Sequence, residues 1–132
     1  IYLSKEVFND AKKLETLNGF VHPAVALDSE RWMNENKNAP YTLKEAALLY
    51  ESGSYKQLDK IIVVTAPESL RVKRVLARDS SKNETDVLKI INNQMPEAEK
   101  VSRADYVIHN DETNLVIPQV IKLHERFIGA FL

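Results

Sequence analysis

Between positions 58 and 78 the chain passes from a continuous apolar run into a periodic one. Ile61, Ile62, Val63, Val64, Thr65 and Ala66 are apolar or β-branched without a break. That is the pattern of a strand covered on both faces in a parallel sheet. Pro67 ends the run, and a proline opens a helix at no cost because the first N–H groups of a helix are unpaired anyway. The spacing beyond it predicts a helix over 67–78 with Arg71, Arg74 and Arg78 at i, i+3 and i+7, on one stripe.

The same reading gives the other elements. Val7, Ala11 and Leu14, with Phe8 beside them, recur at helical spacing over 4–17, behind Ser4 as N-cap. Asn18 and Gly19 predict a stop, with Gly19 in a left-handed position. His22 and Pro23 then predict a second helix over 23–36, with Val25, Ser29, Trp32 and Met33 near one face. A turn at 36–40 leads to a weaker strand at 41–47, interrupted by Lys44 and Glu45. Residues 48–53 read as a loop or short helical turn. After the polar break at 79–84, a helix capped by Asn83 or Ser81 runs to about Gln94, with Val87, Leu88, Ile90 and Ile91 as its apolar residues. Pro96 starts a short charged helix to Arg103. Residues 106–109 form a strand closed by Asn110 and Asp111, and 117–131 form the last helix. Its expected buried stripe is Ile117, Val120, Ile121, His124, Phe127, Ile128 and Phe131. Three strands alternating with helices predict a parallel α/β sheet with one or two strands lacking on the N-terminal side.

Composition narrows the chemistry. The 132 residues hold 44% hydrophobic and 28% charged residues with a formal charge of −1, as in an ordinary globular domain, so no global charge favours nucleic acid or an anionic membrane. The basic residues are not interleaved with aromatics, which argues against a nucleic-acid partner. There is no cysteine, hence no disulfide, thiolate metal site or cysteine nucleophile, and a cytoplasmic location is expected. No apolar run nears the roughly 20 residues that span a bilayer, so no membrane partner is expected. His22, His109 and His124 lack metal-ligand spacing, and the expected metal set is none. Trp32 and the tyrosines read as core or pocket wall. The arginine stripe is the informative feature. Arg74 and Arg78, four apart, repel unless an anion sits between them, and a phosphate ester suits two guanidinium groups.

Set in order, His22 and Pro23, the run Leu48, Leu49, Tyr50 and Glu51, the strand followed by Ala66, Pro67 and Glu68, then Arg74, Arg78, Gln94, Lys100, Ala104, Asp105, His109 and Asn110 resemble dephospho-CoA kinase in the portion after its phosphate-binding loop. The resemblance runs through essentially the whole chain. It implies a P-loop kinase fold, like that of nucleoside monophosphate kinases: a three-layer α/β fold, partial here, with a helical CoA-binding part and a small helical lid. The corresponding division is 1–40 for the CoA-binding part, 41–66 with 104–132 for the nucleotide-binding core, and 67–103 for the lid. The implied reaction is transfer of the ATP γ-phosphate to the ribose 3′-hydroxyl of dephospho-CoA, the last step of coenzyme A biosynthesis.

The resemblance also assigns roles. Arg74 resembles an arginine finger supplied in cis, and Arg78 a second phosphate contact or a partner for Asp79 or Glu84. Both are candidate catalytic residues, and Arg74 and Asn110 candidate nucleotide-binding residues. His22, Leu48, Leu49 and Glu51 are candidates for the dephospho-CoA side. Gln94 is expected to hold lid geometry, and Asp105 to be structural. Arg71, where the family has glutamine, is expected at the surface, and Ala47 stands where the family has proline. The signature Gly-x-x-x-x-Gly-Lys-Ser/Thr is missing: none of Gly19, Gly53 and Gly129 precedes a lysine. With Ile1 at its start, the chain is therefore expected to be an inactive fragment, with Mg²⁺ and ATP bound mainly by a segment it lacks, and prone to self-association through exposed apolar edges. The alternatives are a non-catalytic CoA- or nucleotide-binding module, or a fragment of another nucleoside monophosphate kinase-like enzyme.

Overall fold

A computed structural model describes residues 6–7 and 10–129. Ser4, Phe8 and Phe131, singled out above, lie outside them. The chain divides into two units, Ile1–Leu43 and Lys44–Leu132.

The first unit contains α1, a single helix of 25 residues, Ala11–Glu35. It replaces the two helices predicted for this region. Asp10 caps it, its carboxylate accepting from the amides of Lys12 (3.0 Å) and Lys13 (3.2 Å). Gly19 is therefore internal rather than left-handed, and Pro23 lies within the helix. Proline withholds one N–H and crowds the carbonyl four residues back. Here that carbonyl belongs to Gly19, the residue best able to adjust its backbone. Trp32, expected in a core or a pocket wall, is 47% exposed and not part of a core.

The second unit holds the sheet. Residues 41–47, read as a strand, form no strand; Leu43, Lys44 and Glu45 are exposed, and no described strand pairs with them. Turns over 47–53 follow, with Gly53 left-handed at φ 75°, then a short 3₁₀ helix, Ser54–Gln57. Strand β1, Ile62–Thr65, leads to α2, Glu68–Arg78, with Pro67 one position ahead of the first helical residue. Next come α3, Glu84–Asn92, capped by the Asn83 side-chain Oδ1, which accepts from the Asp86 amide (3.0 Å), and α4, Glu97–Arg103. Strand β2, Tyr106–His109, and α5, Val116–Gly129, complete the described chain.

Among the described residues the sheet has two strands rather than three, paired in parallel with Ile62 opposite Tyr106 and Thr65 opposite His109. Asp105 fixes the register. Its carboxylate accepts from the Ile61 amide (2.9 Å) and from Lys60 Nζ (2.9 Å). Lys60, then the Ile61 amide, hold the Asp105 carboxyl below its usual range. This is the structural role expected of it. Tyr50, Ile61, Val72, Val87 and Ile108 are buried and form the core of this unit. Two expectations about burial fail. Val64 is 59% exposed, so the two-stranded sheet is not covered on both faces. Helix α5 turns Val116, Gln119, Leu123 and Phe127 inward, while Ile117, Val120 and Ile121 remain exposed. The Phe127 ring meets Tyr106 edge-on at 5.3 Å.

Candidate functional site

The carboxyl end of the sheet gathers the first group of side chains. In open α/β sheets this is where ligands bind. The Asn110 amide donates to the Thr65 carbonyl at 2.8 Å, joining the two strand ends. Its carbonyl accepts from Arg74 Nη1 at 2.9 Å, and Arg74 Nη2 lies 3.5 Å from Glu112. Arg74 and Asn110, both singled out from the sequence, are thus neighbours, and Asn110 acts through its main chain. The loop is shaped by Asp111, whose carboxylate accepts from the amides of Thr113 (3.0 Å) and Asn114 (2.9 Å). These bonds, the Asn114 amide first, hold the Asp111 carboxyl far below its usual range. Glu112 follows with φ 69°, in left-handed backbone.

The other two arginines of the stripe part from Arg74. Arg71 is half-buried rather than at the surface; its Nη1 lies 3.3 Å from Glu97 on α4, and its Nε is buried with no acceptor. Arg78 is exposed at the end of α2 and has no ion pair among the described residues. Its expected partner Asp79 is engaged elsewhere. Asp79 accepts from the Ser81 hydroxyl (2.6 Å) and pairs with Lys82 at 3.1 Å. Those contacts, Ser81 first, hold the Asp79 carboxyl down to about 2. The stripe therefore does not converge on one point: carboxylates on two other elements take Arg71 and Arg74 separately.

A second group surrounds the turn at 47–53. Glu51 Oε1 accepts from the Met95 amide at 2.8 Å and lies 3.4 Å from Lys100 Nζ. Lys100 also donates to Gln94 Oε1 at 3.3 Å, so Gln94 does hold this junction by a hydrogen bond. Burial pushes the Glu51 carboxyl up, but the Met95 amide and Lys100 outweigh it and lower it overall. The Arg103 guanidinium stands 4.7 Å from the Tyr50 ring centre and 5.1 Å from that of Tyr55. Leu48 is exposed and Leu49 half-buried. His22, the remaining candidate, is exposed on α1 in the first unit.

Sequence reasoning missed Glu97, Glu112 and Gln119. Gln119 holds the end of β2, accepting from the His109 amide (2.8 Å) and donating to the His109 carbonyl (2.9 Å). A lone glutamine on the apolar face of α5 was the available signal. Glu112 gave none, since a left-handed glutamate has no pattern along the chain. Among the described residues no group of three His, Cys, Asp or Glu side chains could hold a metal ion, and no helix is long and apolar enough to cross a membrane.

A family model described as dephospho-CoA kinase matches residues 1–115. A dephospho-CoA kinase of Novosphingobium aromaticivorans is 43% identical over 106 residues, covering 80% of this chain and 52% of that protein. One from Porphyromonas gingivalis is 32% identical over 123 residues, covering 93% and 60%. Among solved structures, a Thermus thermophilus protein matches with a TM-score of 0.69 at 38% identity, over 83% of this chain and 56% of that one. Dephospho-CoA kinase from Campylobacter jejuni matches with a TM-score of 0.65 at 27% identity, over 98% and 65%. The chain spans roughly half to two thirds of the length of the proteins it matches.

Proposed function

Because the chain belongs to the dephospho-CoA kinase family and shares its P-loop kinase fold, we propose that it forms part of an enzyme transferring the ATP γ-phosphate to the ribose 3′-hydroxyl of dephospho-CoA in the cytoplasm. The observation that carries this beyond the family match is the meeting of Arg74 with the Asn110 carbonyl at the carboxyl edge of the sheet. In our reading the nucleotide lies beside the 110–112 loop. Arg74 leaves Glu112 for the phosphates and stabilises the charge that develops on them during transfer. Arg78, exposed one turn on, is free to approach the same phosphates. Leu48, Leu49 and His22 serve the dephospho-CoA side. Residues 67–103 act as the lid.

Mg²⁺ accompanies ATP as part of the substrate. The described residues do not fit a site for it, so no step is assigned to a metal on this chain. The sequence contains no phosphate-binding glycine loop, and phosphoryl transfer depends on such positioning. The 132 residues alone are therefore proposed to be inactive.

The test uses protein from the complete reading frame, with Mg-ATP and dephospho-CoA. Coenzyme A should form, and Arg74→Ala should lower kcat by roughly 10²–10³-fold, as for loss of a donor to a developing anion. A well-folded protein that yields no coenzyme A would make the chain a non-catalytic binding module. Turnover by the 132 residues alone would overturn the inactivity proposal.

A further inference from the structure

Glu51 lies in the turn that carries Leu48 and Leu49, and its carboxylate engages the chain between α3 and α4. Oε1 takes the Met95 amide (2.8 Å) and faces Lys100 Nζ (3.4 Å). The Lys100 and Glu51 side chains are 14% and 24% exposed. Oε1 is thus committed to the protein's own groups. Met95 is the last residue before Pro96, which has no N–H, and α4 begins after Pro96 without a side-chain cap. The amides of Asn93 and Gln94 bond back to the Lys89 and Ile91 carbonyls of α3, whereas the Met95 amide takes its acceptor from Glu51, 44 residues upstream. Lys100 closes the arrangement from α4 by binding Glu51 and Gln94 together. A separate contact runs the same way: Arg103 of α4 covers Tyr50, the residue before Glu51, and lies 3.8 Å from the Met95 sulfur.

We propose that Glu51 and Lys100 are positioning residues that tie the acceptor-side turn at 47–53 to the α3–α4 junction, so that the end of the lid sets where Leu48 and Leu49 stand. The inference rests on the proposed kinase reading and on its lid and acceptor assignments. Glu51 therefore acts on dephospho-CoA through the turn and does not touch it. A partly buried charged hydrogen bond is lost at real cost, because the partner left behind stays desolvated.

The experiment measures kinetics of the full-length enzyme and amide hydrogen exchange at Met95, in wild type, Glu51→Ala, Glu51→Gln and Lys100→Met. Glu51→Ala should raise the KM for dephospho-CoA about five- to tenfold, leave the KM for ATP unchanged, and remove protection of the Met95 amide. Glu51→Gln keeps an acceptor for that amide and should restore its protection and part of the KM. Lys100→Met should shift the same KM, and its effect should not add to that of Glu51→Ala. Equal Met95 protection in wild type and Glu51→Ala would overturn the tie itself. Lost protection with both KM values unchanged, or both raised alike, would leave only a structural role and overturn the positioning. Absence of any turnover in the wild type would sink the kinase reading and the acceptor role with it, while the exchange result would still decide the tie.

Discussion

Glu112 shows two local effects opposing each other. A non-glycine residue in left-handed backbone costs about 1 kcal/mol, while an exposed ion pair such as Glu112 with Arg74 returns about 0.2–1 kcal/mol. Strain should win narrowly. Glu112→Gly is expected to unfold in urea at the same or slightly higher concentration than wild type, and a loss beyond about 1 kcal/mol would show the pair to be stronger than its exposure implies. Asp79 gives a pH dependence. Its carboxyl is held down to about 2 from an ordinary 3.8, so it titrates lower in the folded state than in the unfolded one. The stability it contributes is fully present above about pH 4 and fades as pH falls through about 2. Asp79→Asn should flatten the stability profile within that window and leave the neutral range flat, as denaturation at a series of pH values would show. At this scale the sequence told which residues carry charge but not where the charges go. The arginine stripe was legible from its spacing. That Arg71 meets Glu97 and Arg74 meets Glu112 depends on α4 and the 110–112 loop arriving beside α2, which no local pattern encodes.

Elements were read well where one signal dominated. The strand at Tyr106–His109 and the helix at Glu97–Arg103 match their apolar run and their proline. They were read poorly where a breaker or a second apolar face competed. Gly19 and Pro23 look like an end and a beginning, yet α1 continues through both. Pro23→Ala restores the missing N–H and is expected to stabilise α1 by up to about 3 kcal/mol, seen as added helical signal and a higher melting temperature. Helix α5 is apolar on two sides, and periodicity alone placed Phe127 correctly but put Ile117, Val120 and Ile121 inward where the helix exposes them. What decides is the pair of bonds between Gln119 and the main chain of His109. Gln119→Leu leaves those two groups to water and should cost about 1 kcal/mol, near the low end for a broken hydrogen bond because His109 is exposed.

For the whole molecule, the parallel α/β class was legible because strands alternate with helices, and the solved structures it matches share that fold. The extent of burial was not legible, since it depends on neighbours that a single strand or helix does not name. Val64, Ile90, Leu115, Ile117 and Ile121 all remain exposed in the second unit. Such apolar surface favours association. The 132 residues are expected to scatter light as a dimer or larger species at micromolar concentration, and a monodisperse monomer would rule that out.

The clamp of Asp105 on Ile61 has a consequence in time. The two residues are 44 apart, with α2, α3 and α4 between them. At about 5–20 residues per second of synthesis, β1 leaves the ribosome several seconds before its partner exists. During that interval the nascent chain carries a bare β-branched segment that no later residue has yet sheltered, a natural binding site for a chaperone on the growing polypeptide.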